Sequence, residues 1–436
     1  MKIAGCDCGK DSLYVCVLDQ IPKDLKSFSR SYKPNVVKAN REGIDWLLEQ
    51  DADCYVLEPT GSYSYLWIDQ LKKHGKDVRL VSPIRVRAYC RYKNIFNKAD
   101  KPDAAAIASY SLENYSDTHA FLGTEQMELR ELYLSLKSTV RNRNPLANRL
   151  GQRLTYECPE IAPTVEKCQR PWMDKKPPAI LRRIAEEGED RAPYWKQRQA
   201  RIENTIGRGL SQHSKELAKE LCNFHRMEYS LECQIAELVS NEKFAQYQSI
   251  FDQFCLPPKT RAAILGAIYP FESFLNEHAG QIIEYIPGDF SKRKDKLTKR
   301  NRSEASFKLA LGIGKVQVQS GKKLEWKAGG PKHVRTAIWI YVSVVIVILG
   351  KSNKTREKDI EKLVNTLGNS KQSHWLNESL VSAATDYMEV PRHVAALRLH
   401  YKFARPNEKD KLRRAATASR FVRSLYKELV KEFAVK

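Results

Sequence analysis

The chain has 436 residues, with 74 Lys+Arg against 52 Asp+Glu and a formal charge of +22 at pH 7. With 42% hydrophobic and 29% charged residues it can bury a core without disulfide or metal staples, and it is no disordered tail. No apolar run reaches 18 residues, the longest being the core-like AIWIYVSVVIVIL at 337–349, and MKIAGCDCGKD lacks a signal-peptide layout; a cytoplasmic protein without a membrane anchor is expected. So large a positive excess points to a polyanionic partner, most simply nucleic acid. The ten cysteines contain no C-x-x-C pair, which argues for buried free thiols in a reducing compartment and against a zinc site.

In chain order, Lys2–Asp7 is a short apolar strand. Cys8–Asp11 supplies a turn and Ser12–Leu18 a second strand, together a hairpin. Gly43–Glu49 predicts a helix, Cys54–Glu58 a buried strand, Ser64–His74 a helix, Val78–Val81 a strand and Pro102–Leu112 a helix. That alternation predicts an α/β unit with a mixed sheet over the first 118 or so residues. From Thr124 the pattern turns helical, with Leu129, Leu132, Leu136 and Val140 on one face. Pro145 is expected to kink or break this helix, and Cys158–Pro193, rich in Pro and charge, reads as an insertion or linker. Ile202–Val239 completes a helical arm folded back on itself. A second globular unit starts near Phe244. In it, Lys292–Arg302 sets seven basic residues against one Asp and reads as a loop, as does Gly314–Trp326. Thr336–Leu349 reads as buried, Lys351–Val390 as inserted and solvated, and Lys411–Phe433 as a basic amphipathic helix.

Four carboxylates stand at positions where side chains can converge. Asp7 and Glu58 each end a strand, and Asp100 and Asp103 share one face at a helix start. Such acids can hold two divalent ions ~3.5–4 Å apart, as in-line phosphodiester displacement needs, and hard oxygen donors favour Mg²⁺ or Mn²⁺. Taken singly, each acid is equally explained as a helix cap or a solvated loop carboxylate. Among basic residues, Arg85, Arg87, Arg91 and Lys93, interleaved with Tyr89 and Tyr92, form a candidate surface for phosphates and unpaired bases. His333 and Arg335 are further phosphate candidates.

The segments GCDCGKD (5–11), LEPTGSY (57–63) and KADKPDAAAIA (98–108) resemble the RuvC-like domain of DEDD transposases of the insertion-sequence one-ten family, relatives of the Piv-type DNA invertases. The resemblance implies an RNase H-like fold with Asp7, Glu58, Asp100 and Asp103 as metal-binding acids. It continues in the second half. Gly312-Ile313, Gln319-Ser320-Gly321-Lys322 and GPKHVR (330–335) are similar to the family's serine transposase domain, although Lys315 stands where Pro is usual and Gly-Pro replaces Gly-Asn. By that match Ser320 is the nucleophile, with Lys322 and Arg335 at the nucleic acid.

The architecture so implied is a RuvC-like catalytic domain at 1–118, a helical coiled-coil arm at 119–243 with an insertion at 158–205, and a mostly α transposase domain at 244–436 with an insertion at 351–390. The family further implies a homo-oligomer, dimer or tetramer, acting on donor and target DNA under a structured bridge RNA. The alternatives at this point are a water-using RNase H-like or junction nuclease in which Ser320 is structural, a site-specific invertase, and a non-catalytic nucleic-acid scaffold.

Overall fold

The computed structural model describes residues 1–59, 61–95, 100–120, 124–188, 193–276, 278–287, 297–320, 323–348 and 378–434. These form two compact units, Met1–Thr124 and Glu125–Lys436.

The first unit is built on a mixed sheet of order β3-β2-β1-β4-β5-β6. Strands β1 (Ile3–Cys8) and β2 (Ser12–Leu18) form the expected hairpin, and β3 (Asn35–Lys38) adds antiparallel to β2. On the other side, β4 (Cys54–Leu57) and β5 (Val78–Leu80) run parallel to β1, and the two-residue β6 (His119–Ala120) closes the edge antiparallel to β5. Every residue of β4 is buried, as expected of a parallel strand at the centre of a covered sheet. The helices at 43–49, 64–74 and 102–112 appear as α2 (Arg41–Leu48), α3 (Tyr65–Lys73) and α5 (Asp100–Glu113). Two others escaped the hydrophobic pattern. Helix α1 (Leu25–Ser31) starts where the Asp24 carboxylate accepts the Lys26 and Ser27 amides, and α4 (Pro83–Tyr92) starts with Pro83 after Ser82.

Gly5 sets the packing of α5 on the sheet. A Cβ there would lie 2.5 Å from the Ala104 carbonyl oxygen and 2.8 Å from the Ala108 Cβ, so only glycine lets the helix approach β1 this closely. The fully buried run Ala104–Ala108 supplies the matching smooth face.

In the second unit, α6 (Thr124–Glu157) is one helix of 34 residues running through Pro145. Pro145 and Arg141, whose carbonyl loses its helical partner, are both exposed, so water can satisfy the freed group. Helix α10 (Gln212–Val239) packs against it. Arg143 bonds Glu228, Arg153 bonds Ser214, and Glu157 accepts from Ser211, so the two helices run antiparallel.

The segment expected as an irregular linker is folded. Helices α7 (Ala162–Glu166) and α8 (Ala179–Ile184) close a core with Leu150, Leu154, Leu217, Leu221 and Cys222. Its charge also has a buried function. Glu232, on α10, accepts from Arg170 Nη2 at 2.8 Å and the Met173 amide at 3.0 Å, and pairs with Lys259 at 3.0 Å.

The main core of this unit gathers the start of α6, the end of α10, and helices α11 (Ala245–Asp252), α12 (Pro258–Ile268) and α13 (Arg302–Ala310). The terminal helix Asp410–Phe433 joins it through Phe421, Leu425 and Leu429. Helix α14 (Lys332–Tyr341) continues as π-helix through Val342–Ile348. This segment is one-sided rather than buried throughout, because Ile340, Val344 and Ile348 face out. Part of Lys292–Arg302 is strand, since β8 (Leu297–Asn301) pairs with β7 (Ile283–Pro287); 292–296 lie outside the described residues. Likewise the described part of Gly314–Trp326 is mostly strand, and 321–322 lie outside the described residues. Strands β9 (Lys315–Ser320) and β10 (Lys323–Ala328) form an antiparallel ribbon. Its base turns at Gly330 (φ +78°), where any Cβ would strike the Leu309 carbonyl. Of the stretch at 351–390, residues 351–377 lie outside the described residues, while Glu378–Met388 is a helix packed on Arg392–Phe403.

Candidate active site

The β1–β4 ladder pairs Ile3 with Cys54, Ala4 with Tyr55, Gly5 with Val56 and Cys6 with Leu57. One step further in the same register stand Asp7 and Glu58. Two carboxylates are therefore carried side by side at the C-terminal ends of neighbouring parallel strands, ~4.8 Å apart across the ladder. In open α/β sheets that edge is where ligands bind. Both side chains are half-buried, between the closed core beneath and solvent above. Asp7 also lies opposite Tyr14 in the hairpin, so β1 is held on both flanks.

Asp103 comes from the first turn of α5, one residue before the Ala104 that touches Gly5, and it too is half-buried. The close approach at Gly5 is thus also what brings this carboxylate to the sheet. Cys90, near the end of α4, reports the gathering electrostatically. Burial raises its thiol pKa, and the negative charges of Asp103 and then Glu58 raise it further, to about 11. Two acids that are 45 residues apart in the chain therefore act on one buried thiol. The thiol stays protonated at neutral pH and does not compete as a thiolate ligand. Cys6, between Gly5 and Asp7, is held well above its ordinary value by burial, next by Cys8, and in small part by Asp7.

These three acids offer only hard oxygen donors, which suits Mg²⁺ or Mn²⁺. The backbone of Asp100 begins α5, but its side chain lies outside the described residues. Among the described residues no group of three or more His, Cys, Asp or Glu is drawn in tightly enough to qualify as a metal cage.

Arg85, Arg87 and Arg91 are all exposed along α4, the helix that also carries Cys90. The two tyrosines between them part company. Tyr92 is 77% exposed, whereas Tyr89 is buried, packs edge-on against Tyr110 and donates to Glu113 Oε2 at 2.7 Å. Tyr89 is therefore a core residue and not a stacking platform. The sequence pattern could not separate them, because both alternate with arginines.

In the second unit, Ser320 ends β9 opposite Lys323 in the ribbon, with its side chain outside the described residues, as is all of Lys322. Arg335 lies in the first turn of α14, its Cβ 3.0 Å from the position a Gly312 Cβ would take, and its Nη1 is buried without a hydrogen-bond partner among the described residues. His333 packs its ring 6.0 Å from that of Tyr133. Burial lowers its pKa, as do Arg130 and Lys137, so it is held neutral among cations. Lys137 is itself lowered by burial and by Lys332. Arg130, Lys137 and Lys332 form a cationic cluster that the sequence did not disclose, since its members are 195 or more residues apart across the two helices. All ten cysteines are free, and seven are buried. No helix among the described residues is long and apolar enough to cross a membrane.

Residues 4–159 match the family model of the DEDD transposases of the insertion-sequence one-ten group, described as transposase. No match is found among curated proteins. The matched segment contains the whole Asp7, Glu58, Asp100 and Asp103 set and all of α6. Over residues 4–159 the chain is similar to the transposase domain of the DEDD family of insertion sequence one-ten.

Proposed function

We propose that the protein is a DNA recombinase of an insertion sequence, cutting and rejoining strands with the Asp7, Glu58, Asp100 and Asp103 carboxylates and a Ser320 nucleophile. The observation that carries this is the ladder register that sets Asp7 beside Glu58, with α5 locked onto β1 at Gly5 so that Asp103 joins them. The sheet order β3-β2-β1-β4-β5, with three antiparallel strands followed by two parallel ones, supports an RNase H-like fold of the RuvC type.

The carboxylates would hold Mg²⁺ or Mn²⁺, which when bound withdraws charge from the scissile phosphate and lowers the pKa of a coordinated hydroxyl. The chain's residues do the rest. Ser320 Oγ attacks phosphorus, its proton passes to a carboxylate of the cluster, and the bond from phosphorus to one deoxyribose oxygen breaks. That oxygen leaves as a hydroxyl after taking a proton. The phosphoserine link keeps the diester energy, so attack by another strand's hydroxyl reseals DNA without a high-energy cofactor. Arg85, Arg87 and Arg91 on one side and Lys322 and Arg335 on the other bind the flanking phosphates.

This chemistry requires Ser320 to meet the acids, which a homo-oligomer would achieve by pairing the serine of one copy with the cluster of another. A structured bridge RNA, choosing donor and target by base pairing, follows from the family resemblance. It also gives the +22 charge more than one duplex to neutralise. The test of the RNA is copurification of the protein with its element's non-coding flank: a specific RNA that stays bound supports a guide, and its absence removes that part. The test of the chemistry is a covalent protein–DNA adduct with Mg²⁺, formed by wild type and lost in Ser320→Ala. Cutting that persists in Ser320→Ala would make the protein a nuclease that uses water.

A further inference from the structure

The β9–β10 ribbon has two faces, and the register separates them. Cross-strand partners share a face, so Trp326 stands in one row with its partner Gln317 and with the Ala328–Lys315 pair. Ser320 and Lys323 belong to the opposite row, with Lys327 and Val316. Trp326 is 62% exposed, and Lys315 and Gln317 beside it are exposed too. A tryptophan left open on a two-stranded ribbon contributes little to folding, and leaves a large π-face edged by a cation and an amide. The ribbon from Lys315 to Ala328 carries four lysines against one glutamate, and that glutamate, Glu325, pairs with Lys327 at 3.6 Å.

The β7–β8 ribbon repeats the arrangement. Tyr285, 62% exposed, faces the same way as its partner Lys299, with Leu297 in the same row and 63% exposed. Isolated exposed apolar residues need no explanation, but two ribbons that each set an aromatic beside a lysine on one face form a pattern. It fits the surface that binds single strands, where bases stack on aromatic rings and lysines follow the backbone. A protein partner would instead favour an apolar patch depleted of lysine.

We infer that the Trp326 face of the β9–β10 ribbon is a stacking platform for an unpaired base of single-stranded nucleic acid, with Lys315 on its phosphate and Gln317 at its edge. The class of partner rests on the transposase assignment above. The ribbon would then hold a strand on the face opposite the Ser320 row, keeping it from re-annealing while the other face remains open for chemistry.

The experiment is equilibrium binding of the full chain to a labelled oligothymidylate and to a duplex of equal length, both in EDTA. No strand is cut under these conditions, so the outcome is independent of the cleavage chemistry. Trp326→Ala is expected to weaken single-strand binding by ~5- to 100-fold, the range for loss of one stacked base. Its duplex binding should change less than ~3-fold, and Trp326→Phe should retain most single-strand affinity. A 2-aminopurine placed in the oligonucleotide should be quenched by wild type and less so by Trp326→Ala. Single-strand binding unchanged in Trp326→Ala would overturn the inference, as would equal losses on single strand and duplex. A change confined to the sedimentation of Trp326→Ala would also overturn it, assigning the face to a second copy of the chain instead.

Discussion

Asp7 and Glu58 hang from adjacent strands of a six-stranded sheet, whereas Ser320 and Trp326 sit on a ribbon of only two strands. In the first unit each strand end is held from both sides and from beneath by α5, so the carboxylates cannot shift without moving the sheet. A two-stranded ribbon has no such support and is marginally stable alone. The difference suits the two tasks proposed above. Metal-binding acids need fixed spacing, while a segment that delivers a nucleophile and holds a strand must adapt to nucleic acid. The second unit compensates with rigidity elsewhere, in the antiparallel α6–α10 pair and its buried ion network.

If rigidity of the second unit resides in that network, breaking it should produce the largest loss of stability. Glu232→Ala strands Arg170, whose side chain is 2% exposed, and should cost about 3–5 kcal/mol in urea unfolding. A change under 1 kcal/mol would move the rigidity of this unit to its apolar core alone. In the first unit, Asp7→Asn keeps shape and removes charge. It should lower Mg²⁺-dependent strand cleavage ~100-fold or more with the unfolding midpoint nearly unchanged. Equal activity would separate Asp7 from the chemistry.

Gly5→Ala should affect stability and activity together. Its new methyl would strike the Ala104 and Ala108 backbone, pushing α5 and Asp103 off the sheet. About 1–3 kcal/mol of stability should be lost together with activity, whereas Trp326→Ala should leave stability untouched.

The smallest effect expected is on pH dependence. His400, in the helix Arg392–Phe403, is buried beside the Thr417 hydroxyl; burial, then Arg420 and Arg405, lowers its pKa to about 4. Its ordinary value is 6.5, so between pH 6.5 and 4 the unfolded chain binds a proton that the folded chain refuses. Stability is therefore lost as pH falls through that window. Unfolding midpoints of His400→Gln should decline less steeply there, and an identical slope would assign the acid sensitivity to His225, also lowered to about 4.

Much of the first unit was legible because its signals are local. The apolar runs ending at Asp7 and Glu58 are strands bounded by turn residues, and the Ala-rich 104–108 stretch has no alternative to a packed helix. What escaped was polar or short. Helix α4 (PIRVRAYCRY) hides its buried face, Val86, Tyr89 and Cys90, among arginines. The β9–β10 ribbon reads K-V-Q-V-Q-S and K-L-E-W-K-A, a clear alternation, but its exposure on both sides gives no apolar face to recognise. The packed segment around α7 and α8 reads as a linker because its prolines and charges are local, while Glu232, Leu217 and Leu221, which give them partners, lie well downstream. Of the candidate site, the carboxylates could be named from sequence, but their register and the burial of Tyr89 required the fold.

The central claim is that one serine and one carboxylate cluster cut and rejoin DNA. A denaturing gel of labelled DNA with Mg²⁺ and wild type, Ser320→Ala or Asp7→Asn tests it most directly. The account predicts a covalent protein–DNA band with wild type that vanishes in both variants. Strand cleavage by Ser320→Ala at the wild-type rate, with no adduct in any lane, would contradict it.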